Sequence, residues 1–362
     1  AALAASGRSR LGDFEDPLLD RWPALGPGEG ALLFGGDMLL GDGAAAHMKK
    51  DGDDWQLRRI RALLAGSGAV AVLANQEGPI TARRRSSGRG GWNYAQDPKT
   101  AEVLAKAGFT HLSLANNHAE DRGLDGMLDT WTALRKAGIH PLGAGRNLAE
   151  ARQPAVFDVG GARVAVLAGI QAWHRLRKKK WNATADRGGL NFLDAEGVRA
   201  GLAEAKAAGS LVVAFPHWGD NYSPVTADQR AIARRLVDAG ADVVIGHHSH
   251  DAQGWGVVDG VPVFWSLGNL AFGTPGRFGE DKHQPGTGLL VRMVLRDGAV
   301  DRFEVVPLQI NNRLSTYQVE PLRASVARAV LMDLAAREGA AVEFVSGLGV
   351  IRPPRSAPPK GE

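Results

Sequence analysis

Short apolar runs rich in β-branched and aromatic residues alternate along this chain with segments of helical periodicity. Runs of that length and composition are typical of strands that are buried inside a sheet. We predict strands at residues 31–34, 69–73, 109–114, 163–167, 211–215, 242–245 and 262–265.

Helical segments fill the intervals between these runs, and several of them end at a glycine, the residue most common after a helix C-terminus. We predict helices at residues 54–65, 98–107, 124–137, 195–208 and 227–239. Asp194 and Thr226 are suited to cap the last two, because their side-chain oxygens can accept from free backbone N–H groups. Strands that alternate with helices of this length indicate an α/β layered fold.

The pattern changes near residue 286, where two strands follow each other without a helix. Residues 288–295 and 300–308 flank Asp297-Gly298, a pair that favours a tight hairpin turn. A last helix is predicted at 321–338. We therefore divide the chain into an N-terminal extension at 1–30, a main domain at 31–310, a C-terminal helical segment at 311–350 and a Pro-rich, disordered tail at 351–362.

Composition narrows the class of protein. The chain has 362 residues, of which 44% are apolar and 23% charged, so a disordered or collagenous chain is excluded. It contains no cysteine, which excludes disulfides, thiolate metal sites and cysteine nucleophiles. The net charge of +4 is a weak argument for nucleic acid, and we expect no nucleic-acid partner.

The sequence gives little information on the compartment. No run approaches the roughly 18 apolar residues of a spanning helix, so we expect a soluble protein without a transmembrane segment. The first residues, AALAAS, are compatible with the remnant of an export signal. Cytoplasmic and exported locations both stay open.

Polar side chains follow five of the predicted strands at the point where each strand ends. Each one alone has a simpler interpretation as a turn residue or a structural histidine. Ligands bind at the carboxyl ends of strands in α/β sheets, so we predict that these segments converge on one crevice. They are Asp37, Asn75-Gln76-Glu77, Asn116-Asn117-His118, His217 and His247-His248-Ser249-His250.

The predicted side chains offer carboxylate and amide oxygens together with imidazole nitrogens. This mixture suits Mn²⁺, Zn²⁺ or Fe, and we expect one or two divalent ions as cofactor. Two adjacent ions can hold a hydroxide and polarise a phosphoryl or carbonyl oxygen. The pattern therefore predicts metal-assisted hydrolysis.

Six motifs, in order, resemble those of the CapA or PGA_cap family, which is linked to bacterial poly-γ-glutamate capsule synthesis. The motifs are GGDMLLG, NQEGP, ANNHAEDRG, PHWGDNYSP, GHHSHDAQGW and FWSLGNLAFG, and they span roughly residues 32–272. That family is similar to the calcineurin-like metallophosphoesterases. The resemblance implies a four-layer αββα sandwich with a two-metal site, and a bacterial protein.

The resemblance also implies a role for individual residues. Asp37 and His250 would bind the first metal, and Glu77 would bridge the two ions. The second metal would take Asn117, His217 and His248. His118 would act as general acid, so that His118 and Asn117 are the predicted catalytic residues.

One position departs from the wider superfamily, where a histidine stands two residues after the first aspartate. This chain has Leu39 there, and His47 or His174 could replace the missing imidazole or be ordinary surface residues. His247 and His248 compete for one ligand position, and we favour His248.

Further residues are predicted around the metal ligands. Asn116, His247 and Asn269 would support them through hydrogen bonds, although a plain turn is equally compatible with Asn269. Basic and aromatic residues form a predicted collar for an anionic substrate, and the alternative is a solvated loop. The collar comprises Arg83, Arg84, Trp92, Tyr94, Arg175, Arg177, Lys178 and Trp181.

Three functions are compatible with this sequence. We favour a metal-dependent hydrolase that uses a metal-bound hydroxide on an anionic substrate, either a γ-glutamyl or poly-γ-glutamate amide or a phosphoester. A non-catalytic accessory component that binds polyglutamate during polymer synthesis and export is the first alternative. The second is a soluble tailoring enzyme of a biosynthetic pathway.

Overall fold

The computed structural model describes residues 16–86, 92–207, 211–278 and 286–354. Its strands are β1 (Glu29–Leu39), β2 (Ala71–Gln76), β3 (His111–Ser113), β4 (His140–Leu142), β5 (Ala144–Gly145), β6 (Ala155–Val159), β7 (Ala162–Ile170), β8 (Gly189–Leu190), β9 (Leu211–His217), β10 (Val243–Ile245), β11 (Ala252–Val258), β12 (Val261–Leu267), β13 (Asn269–Phe272), β14 (Thr287–Arg296), β15 (Ala299–Gln309), β16 (Glu320–Pro321), β17 (Glu343–Val345) and β18 (Leu348–Ile351). The α-helices are α1 (Ala45–Asp51), α2 (Arg61–Ala65), α3 (Thr100–Ala107), α4 (Gly123–Lys136), α5 (Leu148–Arg152), α6 (His174–Lys178), α7 (Ala195–Ala207), α8 (Ala227–Asp238), α9 (Asn312–Ser315) and α10 (Ala324–Arg337). None of these described helices has both the length and the apolar character that crossing a bilayer requires.

Most strands belong to two sheets. The larger has ten strands in the order β17-β18-β15-β14-β1-β2-β3-β4, with β13 beside β1 and β16 beside β15. The second sheet has the order β11-β12-β10-β9-β7-β6. Strands β1 to β4 are parallel to one another, and so are β7, β9, β10 and β12, so each sheet has a parallel part whose carboxyl ends can carry a site.

Side-chain alternation along the strands explains how the layers stack. On β1, Leu32 and Phe34 face the second sheet, whereas Leu33 packs among residues of α3 and α4. On β9, Val213 faces the large sheet and Val212 packs among residues of α7 and α8. Opposite faces of each strand therefore enter different cores. The result is the four-layer αββα sandwich, and the predicted architecture is confirmed.

The predicted C-terminal hairpin is also confirmed. Strands β14 and β15 pair antiparallel over their whole length, and Asp297 and Gly298 at the turn have φ of 53° and 82°. Positive φ at both central residues is typical of the turn that matches the twist of a hairpin. Strand β14 pairs with β1, so the hairpin extends the large sheet, and α10 follows it as predicted.

The segment predicted as one helix at 54–65 is divided in two. It forms a 3₁₀ helix at Trp55–Ile60, followed by α2. The side chain of Gln56 accepts from the N–H of Gly41 at 2.7 Å and donates to the carbonyl of Leu39 at 3.3 Å. These contacts with the chain after β1 compete with regular helical geometry, so tertiary packing overrides the local preference.

Both ends of the described chain join the main body. Leu19 and Trp22, in the predicted N-terminal extension, are buried in the core. The predicted helical segment after residue 310 contains α9 and α10 and also β16, β17 and β18, and β18 ends at Ile351 inside the predicted tail. Residues 1–15 and 355–362 lie outside the described residues. The domain boundaries stay a prediction.

A buried ion pair attaches the residues before β1 to the large sheet. Arg292 on β14 lies opposite Glu304 on β15, and their side chains are 1% and 2% exposed. The guanidinium Nε donates to the Glu304 carboxylate at 2.7 Å. Its other nitrogens donate to the carbonyls of Ser67 and Pro23, each at 2.8 Å.

Replacing Glu304 by Gln should lower the free energy of unfolding by about 3 kcal/mol, because it leaves a buried guanidinium without its counter-charge. Urea denaturation measures the change. Glu343→Gln is the matched control, since its pair with Arg352 is exposed and such pairs contribute roughly 0 to 1 kcal/mol. Equal losses in the two variants would contradict the structural role of the buried pair.

Candidate metal centre

The candidate site lies where the parallel strands of both sheets end. Strands β1, β2 and β3 bring carboxylate and amide side chains from the large sheet, and β9 and the loop after β10 bring imidazoles from the second sheet. Every candidate ligand is at most 5% exposed. These residues are Asp37, Glu77, Asn117, His217, His248 and His250.

One group of possible ligands contains Asp37, Glu77 and His250, each with a ligand atom within 4.8 Å of the others. Nδ1 of His250 lies 3.7 Å from Oδ2 of Asp37 and 2.9 Å from Oδ1 of Asn269. An amide oxygen only accepts, so Nδ1 carries the proton and Nε2 keeps its lone pair. Asn269 thus orients this imidazole.

A second group contains Glu77, His217 and His248, within the same distance of one another. Asn117 is next to it, with Oδ1 at 2.7 Å from Nε2 of His217. Glu77 belongs to both groups, so one carboxylate lies between two sets of ligand atoms.

His247 and His248 occupy different depths of the site. His247 lies beneath, with Nδ1 at 2.9 Å from Nδ1 of His217 and its ring centroid 4.5 Å from that of Phe215. It forms a third possible ligand group with Asp37 and His217. The side chain of His248 lines the open cleft, and its backbone N–H donates to Oδ2 of Asp37 at 3.0 Å. His248 is therefore the histidine nearer to the cleft.

Amide side chains hold the carboxylates in place. Nδ2 of Asn75 donates to Oδ1 of Asp37 at 2.7 Å, and Nδ2 of Asn116 donates to Oδ1 of Asn75 at 3.2 Å. Asn116 also accepts from the backbone N–H of His118 at 3.1 Å. Asn116 therefore connects the chain after β3 to β2. Asn75 positions Asp37, a contact that the sequence did not indicate.

His118 is oriented by a residue that the sequence analysis missed. Its Nδ1 lies 2.7 Å from Oδ2 of Asp121, which is fully buried and also accepts from the backbone N–H of Tyr94 at 2.9 Å. The opposite nitrogen, Nε2, is 3.9 Å from Oε1 of Glu77. The spacing of three residues between His118 and Asp121 was the signal available in the sequence.

Burial changes the ionisation of the site. It raises the pKa of Glu77 well above its ordinary value, with further contributions from the charges of Asp37 and Asp121. Burial also lowers the pKa of His217 and His248 well below the ordinary value, and neighbouring imidazoles add to this effect. The imidazoles of His217 and His248 are therefore neutral at pH 7, the form in which histidine binds metals.

Several buried atoms of the site have no hydrogen-bond partner among the described residues. They include Oε1 of Glu77, Nδ1 of His248 and Nε2 of His247. Buried polar atoms are normally satisfied, and a cation would satisfy lone pairs on oxygen and nitrogen together. The residues present therefore fit a divalent metal ion.

Leu39, which stands where the wider superfamily has a histidine, has an apolar side chain and is only 1% exposed. His47 stacks on Trp55 at a centroid distance of 5.3 Å, and His174 is exposed in the wall of the cleft. Neither histidine belongs to a ligand group among the described residues. The hypothesis that one of them replaces the missing imidazole has no support in this arrangement.

A cleft of about 800 Å³ lies above the candidate ligands. Tyr94 contacts His118 at a centroid distance of 4.5 Å, and the exposed ring of Trp92 lies 6.5 Å from Tyr94. The walls include Trp92, Trp173, His174, Arg175, Asp220 and Asn221. Three members of the predicted collar, Trp92, Tyr94 and Arg175, are thus placed at or beside the cleft.

The remaining collar residues lie elsewhere, which corrects the prediction for them. Arg83 binds Asp129 on α4 at 2.7 Å, Arg177 binds Asp194 at 3.2 Å, and neither arginine lines the cleft. Trp181 is 4% exposed and belongs to the apolar core. Two others are exposed and do not line the cleft, Arg84 and Lys178.

The loop after β10 holds two histidines in backbone conformations that favour glycine. His248 has φ of 109° and His250 has φ of 63°. A residue with a Cβ pays about 1 to 2 kcal/mol for such conformations, and they are found at functional sites. The loop is therefore strained where it presents its imidazoles.

His248→Gly should leave the metal-free protein about 1 kcal/mol more stable than His248→Ala, because both variants lack the imidazole and only alanine keeps the Cβ. Urea denaturation in the presence of a chelator measures the difference. An alanine variant as stable as the glycine variant would show that the loop relaxes without strain.

One solved structure, a calcineurin-like phosphoesterase YfkN from Bacillus subtilis, is similar to this chain with a TM-score of 0.46 and 13% sequence identity. The match covers 85% of this chain and 97% of that chain.

Comparison with curated proteins reveals relatives in several bacteria. The chain is 31% identical over 289 residues to the PGA biosynthesis protein CapA of Bacillus subtilis (strain 168), covering 77% of this chain and 71% of that protein. It is 31% identical to the capsule biosynthesis protein CapA of Bacillus anthracis, covering 76% and 66%. A Mycobacterium tuberculosis protein named "probable polyglutamine synthesis accessory protein" is 30% identical, covering 76% of each chain. The family model for the bacterial capsule synthesis protein PGA_cap matches residues 31–274, and the chain therefore belongs to this family.

Proposed function

We propose that the protein is a metal-dependent hydrolase that acts on an anionic substrate, either a γ-glutamyl amide or a phosphoester. The observation that carries this proposal is the position of Glu77, whose carboxylate is common to two groups of buried ligand atoms. A carboxylate shared between two ligand sets favours a pair of adjacent ions, the arrangement used in many metal-assisted hydrolyses.

Each ligand group has a proposed role. Asp37, Glu77 and His250 would hold the first ion, and Glu77, Asn117, His217 and His248 would hold the second. Mn²⁺, Zn²⁺ or Fe, when bound, would supply Lewis-acid polarisation and lower the pKa of a water molecule. Asn75, Asn116 and Asn269 keep the ligands oriented through the hydrogen bonds described above.

His118 is the proposed proton donor to the leaving group. Asp121 accepts a hydrogen bond from Nδ1, so it fixes the orientation of the ring. Nε2, which lies 3.9 Å from Oε1 of Glu77, then holds the proton that is transferred. Both side chains are buried, which keeps the ring in one orientation before substrate arrives.

The names of the relatives suggest a substrate class. These proteins are named for PGA, capsule or polyglutamine synthesis, and we extend that context to this chain as part of the proposal. Poly-γ-glutamate is a polyanion, and Arg175 in the cleft wall has the charge to bind it.

A second candidate is a non-catalytic accessory component that binds polyglutamate. The name of the Mycobacterium tuberculosis relative contains the word accessory. The resemblance would place an imidazole at the first metal, and this chain has the buried Leu39 at that position instead. The loss of this ligand would weaken the binding of the first ion. A binding protein with one structural metal is compatible with both observations.

Metal analysis of the purified protein followed by activity assays separates the two candidates. We expect up to two ions per chain, and turnover of p-nitrophenyl phosphate or γ-glutamyl-p-nitroanilide that requires Mn²⁺, Zn²⁺ or Fe²⁺ and stops with a chelator. Binding of poly-γ-glutamate without turnover of either probe or of the polymer, with any of these metals, would favour the accessory protein.

A further inference from the structure

A second groove, of about 510 Å³, lies at the other end of the parallel strands from the candidate metal centre. His111 and His140, the first residues of β3 and β4, line it, whereas Asn117 and His118 come after the end of β3. In the part of the chain that the structure describes, none of its lining residues belongs to the cleft above the metal centre or to a ligand group. Pockets of about 300 to 1,000 Å³ are typical of small-molecule sites. The groove is therefore a separate candidate site.

The edges of both sheets form two walls of this groove. Strand β4 stands at one end of the large sheet and β6 at one end of the second sheet, and Val156 on β6 is 44% exposed. Pro141 is the middle residue of β4, and a proline has no N–H to donate to an added strand. The groove is therefore better suited to a small ligand than to an extended peptide.

A stack of rings forms the floor between these edges. His111 and His140 lie directly opposite each other on β3 and β4, and their rings stack at a centroid distance of 4.8 Å with 15° between the planes. Phe157 on β6 meets the ring of His111 edge-on, also at 4.8 Å. His140 is exposed and is the outer member of the stack. A further planar ring can extend this stack.

The two imidazoles are not arranged to share a metal ion. The lone pair of an imidazole nitrogen lies in the plane of its ring, and these two planes are almost parallel. Nδ1 of His111 is 3.0 Å from Oγ1 of Thr110. Burial lowers the pKa of His111 to about 4, and the neighbouring His140 adds to this effect. His111 is therefore a neutral ring at pH 7.

Arg135 on α4 brings a positive charge to the outer ring of the stack. Its Nη1 lies 3.2 Å from Nδ1 of His140, and its guanidinium carbon lies 5.7 Å from the ring centroid of Trp131. A guanidinium only donates, so Nδ1 of His140 accepts and this imidazole is neutral as well. Within the described ranges, Arg135 forms no ion pair with a carboxylate. Its guanidinium can therefore pair with an anion from outside the chain.

The second arginine of the groove has a partner. Arg146 packs on the other side chain of this wall, with its guanidinium carbon 4.9 Å from the ring centroid of Trp131, and its Nε donates to Oε1 of Glu150 at 2.9 Å. Hydrogen bonds from Arg146 lower the pKa of Glu150, and the charge of Arg135 adds to this effect. With neutral imidazoles, two arginines and one glutamate leave one net positive charge in the groove.

We propose that this groove binds a planar aromatic anion, a ring that bears a carboxylate or a phosphate. The ring extends the stack of His111 and His140, and Arg135 binds the anionic group through two N–H donors. Trp131 and His140 restrain the guanidinium before the ligand arrives, so less conformational entropy is lost on binding. This site goes beyond the proposed hydrolase function and does not depend on it.

Calorimetry on the whole chain as purified, at constant ionic strength, tests the proposal with small probes. The aromatic anions are indole-3-acetate and phenylphosphonate, whose P–C bond is not open to hydrolysis of an ester. Indole-3-acetamide keeps the ring without the charge, and acetate and methylphosphonate keep the charge without the ring. We expect at least one aromatic anion to bind roughly 10-fold or more tightly than its uncharged or non-aromatic counterpart. Which of the two binds distinguishes a carboxylate ligand from a phosphate ligand.

Four variants locate the bound probe. Arg135→Gln should weaken binding roughly 10- to 100-fold, the range for a hydrogen bond to a charged group, and Arg135→Lys should weaken it less because the charge remains. His140→Ala should weaken it about 2- to 10-fold through loss of stacking. Lys136→Gln is the matched control, since it removes an exposed cation of the same helix that lies outside the groove. It should change the affinity less than twofold.

Three results would overturn the proposal. The first is that neither aromatic anion binds, or that one binds no more tightly than its counterpart without the ring or the charge. The second is that Arg135→Gln behaves like Lys136→Gln, which would place the probe elsewhere, for example at the metal centre. The third is that poly-γ-glutamate binds more tightly than both aromatic anions with the same dependence on Arg135, which would assign the groove to the polymer. None of these measurements uses turnover, so failure of the hydrolase proposal leaves their outcome unchanged.

Discussion

Replacement of Glu77 by Gln should remove both ions from the protein. The amide has nearly the same shape as the carboxylate but lacks its charge, and Glu77 is the group shared by the two ligand sets. Loss of a supporting residue weakens metal binding roughly 10- to 100-fold. We expect the replacement of Glu77 to weaken the binding of each ion by more than this. Metal content after dialysis, measured by plasma mass spectrometry, gives the result directly.

The matched control for this experiment is His118→Asn, which alters a buried side chain of the same site outside the three ligand groups. Circular dichroism of both variants checks that the fold is kept. Equal metal loss in the two variants would contradict the roles that we propose for Glu77 and His118.

His118→Asn should keep its metal and lose roughly 10²- to 10⁴-fold in kcat, the range for a positioned acid or base. Asparagine removes the transferable proton from the position 3.9 Å from Glu77 while the ligand groups remain complete. Steady-state assays on a substrate whose leaving group must be protonated, such as an alkyl phosphate or γ-glutamyl-p-nitroanilide, with metal content measured on the same sample, separate loss of rate from loss of metal.

Asp121→Asn is the companion variant, because Asp121 acts through His118. It should lower kcat less than His118→Asn does, since the imidazole remains and loses only the carboxylate that fixes its orientation. A substrate whose leaving group needs no proton, such as p-nitrophenolate, should be affected less by both variants. If the loss does not depend on the leaving group, His118 does not act as a general acid.

Local sequence patterns were sufficient for much of the fold. The apolar run at β1 and the helical periodicity of α4 are repeated over several residues, and short-range sterics decide such elements. The turn at Asp297-Gly298 was equally clear, because few residue pairs adopt positive φ at both positions. Short strands such as β13 and β18 were missed, since they have few residues and form only by pairing with β1 and β15.

The candidate ligands could be selected from the sequence because a parallel sheet brings the carboxyl ends of its strands to one edge. That rule needs only the order of strands and the residue after each. It could not decide between His247 and His248, which are adjacent, nor indicate that Asp121 lies 2.7 Å from His118. Those facts depend on backbone torsions and on packing between segments.

The sequence by itself determined the layered α/β class, the strand-end positions of the candidate ligands and the absence of cysteine chemistry. The tertiary structure alone decided which cations face the cleft. Arg83 and Arg177 bind carboxylates on other elements, whereas Arg175 stacks on Trp173 above His248. A charged side chain is long and flexible, so its direction is decided by the partners that folding places within its reach, and those partners are distant in sequence.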